Sequence, residues 1–490
     1  MLIVLLLTSS YALRAQDCDG LAKLPLSDDV TRTAKLVAAG TFSPEGGAKA
    51  IAGLPAFCRV MATLRPTKDS EIGVEVWLPV AGWNGKYMAV GSGGWGGSIA
   101  YEGMAEALRR GYATSATDDG HRGDSASFAM GHPEKFIDFG WRAEHEMTVE
   151  AKRLIRAFYN DDPKYSYWNG CSGGGREGLI QAARYPEAFD GVIAGDPADM
   201  RRNAWALWIA NRTFKEKDSY IPPSKYEMIH RFVLDACDAL DGVKDGLIEN
   251  PSVCQPDFTK LACKGADGAA CLTPRQVESA KTIISPATDG EGHTYFPRLE
   301  PGTEMRWGRL AGGPDPASLF WDQFRYVVYQ DPAWDWRQFD LARDAGKAAE
   351  ADKDIVALDS RLGAFVESGG KLLLYHGWAD QQVAPGSTIE FFKAAQVESG
   401  DGDWARLYMM PGMGHCGGGE GPDSFDKIGV MEQWVENGVL PQALVAAHRT
   451  AGKVDRTRPL CPYPQVAKYK GTGSVDDAAS FACVTGNSAR

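Results

Sequence analysis

The chain has 490 residues, 44% of them hydrophobic, so it is long enough to bury a substantial core. Its 64 acidic residues outnumber its 52 basic residues and give a formal net charge of −12. That balance argues against a surface that binds nucleic acid or an anionic membrane, and no apolar stretch approaches the roughly 20 residues of a transmembrane helix.

Residues 1–7 form an apolar run, and two small residues, Ala12 and Ala15, stand before Gln16. This pattern is typical of the hydrophobic segment and cleavage site of a secretory signal peptide, although no basic residue precedes the run. We therefore predict that residues 1–15 are a signal peptide and that the protein is secreted or periplasmic. A buried first strand or helix is the alternative interpretation of the same run.

A glycine-rich run, 90–97, follows the strand-like residues 86–89. A loop of this kind can offer a backbone N–H to an oxyanion, and Gly93 and Gly94 are the candidate donors. Glycine-rich loops also cradle phosphate. However, this loop has no G-K-[ST] and no correctly spaced G-x-G-x-x-G with an acidic partner, so the oxyanion interpretation is favoured over nucleotide binding.

The sequence Gly-Cys-Ser-Gly-Gly at 170–174 stands between the apolar run 165–169 and the helix-like stretch 176–184. A G-x-S-x-G motif at a strand-to-helix turn is the nucleophile elbow of an α/β-hydrolase, and its glycines permit the strained turn that exposes the serine. Ser172 is therefore the predicted nucleophile. The N–H of Gly173, the next residue, is the predicted second donor to the oxyanion.

Two later segments complete a predicted catalytic triad. Residues 371–380 resemble a buried strand ending in a loop with Asp380, and residues 406–412 resemble a further strand leading to His415. Serine, aspartate, histidine is the chain order of an α/β-hydrolase. His415 would accept the proton of Ser172, and Asp380 would orient and stabilise the imidazolium. Taken singly, Asp380 could cap a helix and His415 could be a loop histidine, but the ordered trio favours the triad.

The interval between serine and aspartate is longer than two strand–helix units require. The core continues through the strand-like residues 191–197, and then residues 199–354 become rich in Trp, Pro, Gly and Cys without strand–helix alternation. We predict an α/β fold in which an α/β-hydrolase core, 16–198 and 355–490, carries a large inserted lid domain, 199–354. Long insertions over a catalytic face are commonly where substrates are selected.

Within the lid, residues 237–247 bring three aspartates and two glycines into one short loop. Carboxylates and backbone carbonyls are the ligands that Ca²⁺ prefers. The spacing is not that of an EF-hand, and a solvated acidic turn is the alternative.

An even number of cysteines favours an oxidising compartment, and the absence of a C-x-x-C pair makes a zinc site a weak interpretation. The connectivity of the cysteines cannot be derived from sequence alone. The plausible pairs are Cys18 with Cys58, Cys171 with Cys416, Cys237 with Cys254, Cys263 with Cys271, and Cys461 with Cys483.

Together these motifs resemble the tannase and feruloyl esterase family of secreted α/β-hydrolases. The resemblance rests on the segments around Ser172 and His415, the His-Gly-x-x-Asp motif at 376–380, the acidic loop 237–247, and the segments 117–121 and 138–145. It implies the triad Ser172, Asp380 and His415 and the five cysteine pairs given above. It also implies a structural calcium ion in the lid, held by the side chains of Asp238, Asp241 and Asp245 and the carbonyls of Val243 and Leu247.

The resemblance implies a secreted serine carboxylesterase that cleaves esters of phenolic acids such as ferulate or p-coumarate, as small molecules or in plant cell walls. Cleavage of gallate esters or of mono-(2-hydroxyethyl) terephthalate is the alternative within the family. The terephthalate enzyme carries glutamate directly after its nucleophile, where this chain has Gly173. A non-catalytic binding module and a serine peptidase on the same fold are the competing classes.

Overall fold

The computed structural model describes residues 17–24, 30–45, 49–288, 291–308 and 315–486. The predicted signal peptide, residues 1–15, lies outside these ranges. The strands are β1 (Val30–Val37), β2 (Gly40–Phe42), β3 (Ile51–Leu54), β4 (Phe57–Leu64), β5 (Ile72–Pro79), β6 (Lys86–Val90), β7 (Ala113–Thr117), β8 (Tyr165–Cys171), β9 (Gly191–Gly195), β10 (Ala287–Thr288), β11 (Thr294–Phe296), β12 (Lys371–Gly377), β13 (Ala405–Met410), β14 (Leu444–Thr450), β15 (Lys453–Leu460), β16 (Gln465–Tyr469) and β17 (Phe481–Thr485).

The α-helices of the same residues are α1 (Cys18–Leu21), α2 (Tyr101–Arg109), α3 (Pro133–Ile137), α4 (Ala143–Tyr159), α5 (Gly173–Arg184), α6 (Arg201–Thr213), α7 (Tyr226–Cys237), α8 (Pro274–Ile283), α9 (Ser318–Asp322), α10 (Leu341–Asp352), α11 (Gly363–Glu367), α12 (Pro385–Ser399) and α13 (Lys427–Asn437). Two π-helical segments, Asp138–Arg142 and Gln323–Val328, adjoin α4 and α9. None of the helices in the described part of the chain is both long and apolar enough to cross a membrane.

A central nine-stranded sheet has the order β1-β4-β5-β7-β6-β8-β9-β12-β13. Strands β1, β4, β5 and β7 pair antiparallel, whereas β7, β6, β8, β9, β12 and β13 pair parallel. The parallel strands have continuous apolar sequences because helices cover both faces of this part of the sheet. Since the carboxyl ends of parallel strands meet at one edge, the residues that follow β8, β9, β12 and β13 lie close together there.

Alternate residues of β8 pack on the two faces of this sheet. Trp168 belongs to a core with Leu179 of α5, and Tyr167 belongs to an opposite core with Met431 of α13. Residue Trp205 of α6 belongs to a third, separate apolar cluster, formed mainly by residues 204–348. In the part of the chain described, residues 201–352 contribute helices and the hairpin β10–β11 but no strand of the central sheet. The lid boundaries stay a prediction, and "lid" below means residues 199–354.

All five predicted cysteine pairs are bonded, which confirms the disulfide prediction. The bonds join Cys18 to Cys58, Cys171 to Cys416, Cys237 to Cys254, Cys263 to Cys271, and Cys461 to Cys483. The first ties α1 to β4, the last ties the final two strand hairpins together, and two staple loops of the lid.

Candidate active site

Ser172 stands alone between the end of β8 and the start of α5, in a sharp turn with φ 60° and ψ −118°. Side-chain-bearing residues rarely adopt this conformation, and it persists only where its surroundings hold it. The flanking glycines allow the turn to close. A Cβ on Gly170 would lie 2.3 Å from the carbonyl oxygen of Gly174, so a larger residue would open the turn. The Ser172 N–H donates to the carbonyl of Gly195 at 2.9 Å, which ties the elbow to β9.

The three predicted triad residues meet at the carboxyl edge of the sheet. The Ser172 hydroxyl lies 2.8 Å from His415 Nε2, and His415 Nδ1 lies 2.7 Å from Asp380 Oδ2. The other oxygen of Asp380 accepts the N–H groups of Gln382 at 2.6 Å and Val383 at 3.0 Å. This arrangement has a nucleophile in contact with a base and a base in contact with an orienting carboxylate, which is the geometry of nucleophilic catalysis.

Asp380 is completely buried, and burial alone would raise its pKa. The charges and hydrogen bonds of His415 and His376 outweigh burial and hold the pKa of Asp380 well below its ordinary value. Asp380 therefore remains ionised, as a residue that stabilises an imidazolium must.

The disulfide between Cys171 and Cys416 joins the residue before Ser172 to the residue after His415, with the two Cα atoms 6.0 Å apart. It encloses 245 positions of the sequence, so it fixes two loops that are distant along the chain. The covalent bond between these two neighbours thereby restricts the distance between Ser172 and His415.

The predicted oxyanion donors can be separated by their surroundings. Gly173 is the first residue of α5, so its N–H has no acceptor within the helix. A Cβ on Gly173 would lie 3.4 Å from the Cα of Gly93, so these two residues face each other. The nearest neighbour of a Cβ on Gly94 is Leu319 of the lid, at 3.8 Å. The geometry therefore favours Gly93 over Gly94 as the partner of Gly173.

Ser92, the residue before Gly93, is held at all of its polar atoms. Its N–H donates to Glu177 at 3.0 Å, and its carbonyl accepts the N–H of Gly174 at 2.6 Å. Its hydroxyl lies 2.5 Å from Asp119 Oδ2 and 2.8 Å from Glu177 Oε1. These part-buried contacts determine the position of the loop that carries Gly93.

The sequence analysis did not assign a role to Asp196, His376, Asp119 or Glu177, which all contact neighbours of the site. Asp196 follows β9 at the same edge of the sheet as Ser172, so the position of strand ends was a usable signal for it. His376 is the penultimate residue of β12 and stands four residues before Asp380. Asp119 follows β7 by two residues at the same edge of the sheet and shares that signal, whereas Glu177 lies within α5 and contacts a loop distant in sequence.

The lid covers the loop that carries Gly93. The indole N–H of Trp95 donates to the carbonyl of Leu319 at 2.9 Å, and the Leu319 side chain approaches Gly94. Most of the large lid aromatics are buried, whereas Trp321, Tyr326 and Tyr329 are partly exposed. Leu319 therefore packs against the glycine-rich loop that carries Gly93 and Gly94.

The acidic loop of the lid has the oxygen donors that a hard cation requires. Burial raises the pKa of Asp241 to about 6, and the charges of Asp245 and Asp238 add to the increase. Asp238 accepts the N–H groups of Asp245 and Gly246 at 3.1 and 3.0 Å, and Asp245 pairs with the buried guanidinium of Arg458.

Chelating side chains whose ligand atoms all lie within 4.8 Å of one another occur elsewhere in the described residues, and the three lid aspartates are not among them. The lid aspartates supply the oxygen ligands that calcium prefers, although their ligand atoms do not all lie within 4.8 Å of one another. For the three carboxylates to converge on one ion, Asp245 would have to exchange Arg458 for it.

The model of the family "Tannase and feruloyl esterase" matches residues 58–307 and 318–484. An uncharacterized esterase from Xanthomonas campestris pv. campestris is 37% identical over 98% of this chain and 92% of its own length. A probable feruloyl esterase B-2 from Aspergillus terreus is 34% identical over 87% of this chain and 86% of its own length.

Solved structures extend the comparison to the fold. The crystal structure of feruloyl esterase B from Aspergillus oryzae is 29% identical and covers 95% of this chain and 99% of its own, with a TM-score of 0.91. The predicted fold class, an α/β-hydrolase, is therefore confirmed. The chain belongs to the tannase and feruloyl esterase family, and it is a carboxylic ester hydrolase.

Proposed function

We propose that the chain is a secreted serine esterase that hydrolyses esters of phenolic acids such as ferulate or p-coumarate. The observation that carries this proposal is the hydrogen-bonded series Ser172–His415–Asp380, at 2.8 and 2.7 Å, in an elbow whose Gly173 lies against Gly93. Relatives described as feruloyl esterases, at 34% identity over most of the chain, support the phenolic acyl group. The five disulfides support an oxidising compartment outside the cytosol.

In the proposed reaction the Ser172 oxygen attacks the ester carbonyl carbon while His415 Nε2 accepts the hydroxyl proton. The N–H groups of Gly173 and Gly93 stabilise the oxyanion, and the N-terminal end of α5 adds its partial positive charge. The C–O bond to the alcohol then breaks, and the alcohol leaves with the proton of His415. Water activated by His415 hydrolyses the acyl-enzyme, which releases the acid and restores Ser172.

The acyl group would lie between the oxyanion loop and the lid, where Leu319 approaches Gly94. An apolar wall of this kind suits a planar aromatic ring. Gallate esters and mono-(2-hydroxyethyl) terephthalate carry rings of similar size, so they are the competing substrates in the test below.

The test is a substrate panel with purified protein: methyl ferulate, methyl p-coumarate, methyl gallate, mono-(2-hydroxyethyl) terephthalate and p-nitrophenyl acetate. We expect the highest kcat/KM on a hydroxycinnamate ester. Ser172→Ala is expected to lower kcat by a factor on the order of 10⁶ while substrate binding is retained, since the elbow backbone is unchanged. A higher kcat/KM on gallate would reassign the acyl group, and more than a tenth of the activity in Ser172→Ala would rule out Ser172 as the nucleophile.

We also propose a structural calcium ion in the lid, bound by Asp238, Asp241 and Asp245 with the carbonyls of Val243 and Leu247. The ion would neutralise carboxylates that otherwise repel one another. Elemental analysis of protein purified without chelator should find calcium, and chelation should lower the melting temperature. Asp241→Ala combined with Asp245→Ala should remove both effects, and a calcium-free native protein would contradict the proposal.

A further inference from the structure

We propose that Asp196, acting with His376, is a positioning residue that fixes the positions of the three triad side chains relative to one another. The proposal rests on the proposed function, since it concerns the same triad. Asp196 is completely buried, so its effect is exerted through the segments that carry Ser172, Asp380 and His415.

The Asp196 carboxylate contacts a neighbour of each triad member. One oxygen accepts the N–H of Gly377, on the strand end that leads to Asp380, at 2.8 Å. The other accepts the N–H of Cys416, next to His415, at 3.0 Å, and lies 3.3 Å from the sulfur of Cys171, next to Ser172. A single carboxylate therefore contacts the ends of β8 and β12 and the loop that follows β13.

His376 links this carboxylate to the triad carboxylate. Its Nε2 lies 3.4 Å from Asp196 and 3.2 Å from Asp380, and 3.1 Å from the carbonyl of Val383. All three neighbours are acceptors, so Nε2 carries a proton. Its Nδ1 lies 2.7 Å from the hydroxyl of Thr388, which fixes the ring. Positive charge between two buried carboxylates stabilises both of them, and His376, which contacts Asp196 and Asp380, is placed to supply it.

The backbone of Asp196 is in the left-handed region, with φ 38°, and its N–H donates to the carbonyl of Tyr375 at 2.9 Å. Strain of this kind persists where the surroundings hold the residue, and it concentrates at functional sites. Aspartate and asparagine tolerate left-handed backbone better than most other residues do. Asp196→Asn is therefore a variant that changes the charge while it keeps the size and the backbone preference.

The charged groups around this pair come from several elements. His376, Asp380 and His415 face Asp196, and Arg202 of the lid helix α6 interacts with Asp380. Arg306 of the lid lies against Gly414, beside His415. Burial raises the pKa of Asp196, and the neighbouring His376 opposes that increase. Burial lowers the pKa of His376, and Asp196 and Asp380 outweigh burial, so that its pKa is raised and the protonated form is favoured.

Steady-state kinetics across pH with the best ester of the panel test the proposal. Asp196→Asn should lower kcat by about tenfold to a hundredfold with KM within about twofold, because displacement of the reacting groups by about 1 Å has a cost of that order. It should also move the acidic limb of kcat/KM to lower pH, since the imidazolium of His415 loses a nearby negative charge. Asp354→Asn is the matched control: it is an exposed left-handed aspartate, with φ 58°, whose carbonyl contacts Arg184, and it should behave as wild type.

His376→Gln is the second variant and should move the acidic limb in the opposite direction, to higher pH. It removes the cation that offsets Asp380, so Asp380 stabilises the His415 imidazolium more strongly. It also keeps the proposal testable if Asp196→Asn does not fold. An acidic limb that stays in place in either folded variant would overturn the proposal, whatever the change in kcat. Loss of all activity in Ser172→Ala alongside that result would leave the proposed function intact, whereas an active Ser172→Ala would contradict the function itself.

Discussion

Two buried groups of three titratable side chains support the loops around Ser172, and they differ in one residue type. The histidine side consists of Asp196, His376 and Asp380, and the oxyanion side consists of Asp119, Glu144 and Glu177. In each group the ligand atoms lie within 4.8 Å of one another, and all six residues are at most 1% exposed.

The histidine side has His376 between its two carboxylates, and the pKa of Asp380 is lowered in spite of burial. The oxyanion side has no histidine. There burial first, and then the charge of Glu177, raise the pKa of Asp119 and Glu144 well above ordinary values. Burial also raises the pKa of Glu177, partly offset by Arg176.

The hydrogen bonds of Ser92 also indicate that a carboxyl group on the oxyanion side is protonated. Its hydroxyl has one proton but lies 2.5 and 2.8 Å from two carboxyl oxygens, so one of the carboxyl groups must itself donate. Both oxygens of Glu144 are buried without a hydrogen-bond partner in the described residues, which suits a neutral acid. Side chains of similar burial thus have opposite pKa shifts, lowered at Asp380 and raised at Asp119, Glu144 and Glu177, because only the first group has a histidine among its three members.

The largest expected difference between the two sides is in kcat when a carboxyl group is replaced by an amide. Asp380→Asn should lower kcat by a factor on the order of 10⁴, because the amide favours the wrong tautomer of His415. Glu144→Gln should leave kcat within about threefold of wild type, since glutamine resembles the protonated acid already present. The check is kcat on one ester at the pH optimum. Equal losses in the two variants would show that both carboxyl groups act as charges and would end the distinction.

The disulfide between Cys171 and Cys416 is a second difference, because it links the loop of His415 covalently to the elbow of Ser172. Cys171→Ala combined with Cys416→Ala should reduce kcat by up to about a hundredfold, a larger effect than on the melting temperature, because the Ser172–His415 distance is released. Asp196 would then be the remaining tie between the loops. Peptide mapping of non-reduced wild-type protein is the control, and a Cys171 peptide unlinked to a Cys416 peptide would contradict the prediction.

The smallest expected effect concerns the stability of the oxyanion side. The pKa of Glu144 is higher in the folded protein than its ordinary value of 4.5 in the unfolded chain. Its contribution to the free energy of unfolding is therefore fully present below pH 4.5 and is lost as the pH rises through the folded pKa. Denaturant unfolding at about pH 5 and about pH 8 should show a stability decrease that Glu144→Gln reduces. A decrease of the same size in both proteins would assign the pH dependence to other groups.

The meeting of Ser172, Asp380 and His415 at one edge of the sheet could be predicted from the sequence, because each of these residues carries a local signal. The elbow at Ser172 requires glycines on both sides, and Asp380 and His415 follow buried strands in the order of the fold. The glycine-rich loop was equally visible, although Gly93 and Gly94 could not be told apart. The cysteine pairs were plausible by position, but their connectivity became definite only through the resemblance and the structure.

Patterns of apolar residues, glycines and chain order thus determined the fold class and predicted the three side chains that meet at the sheet edge, because backbone geometry at a strand end depends mainly on adjacent residues. Only the tertiary structure showed that Asp196 reaches the neighbours of all three, that Gly93 faces Gly173, and that Glu144 has no partner in the part of the chain described. These features depend on distances of a few ångströms between segments far apart in sequence. The charge of a buried acid depends on which other groups share its cavity, and the cavity exists only in the folded chain.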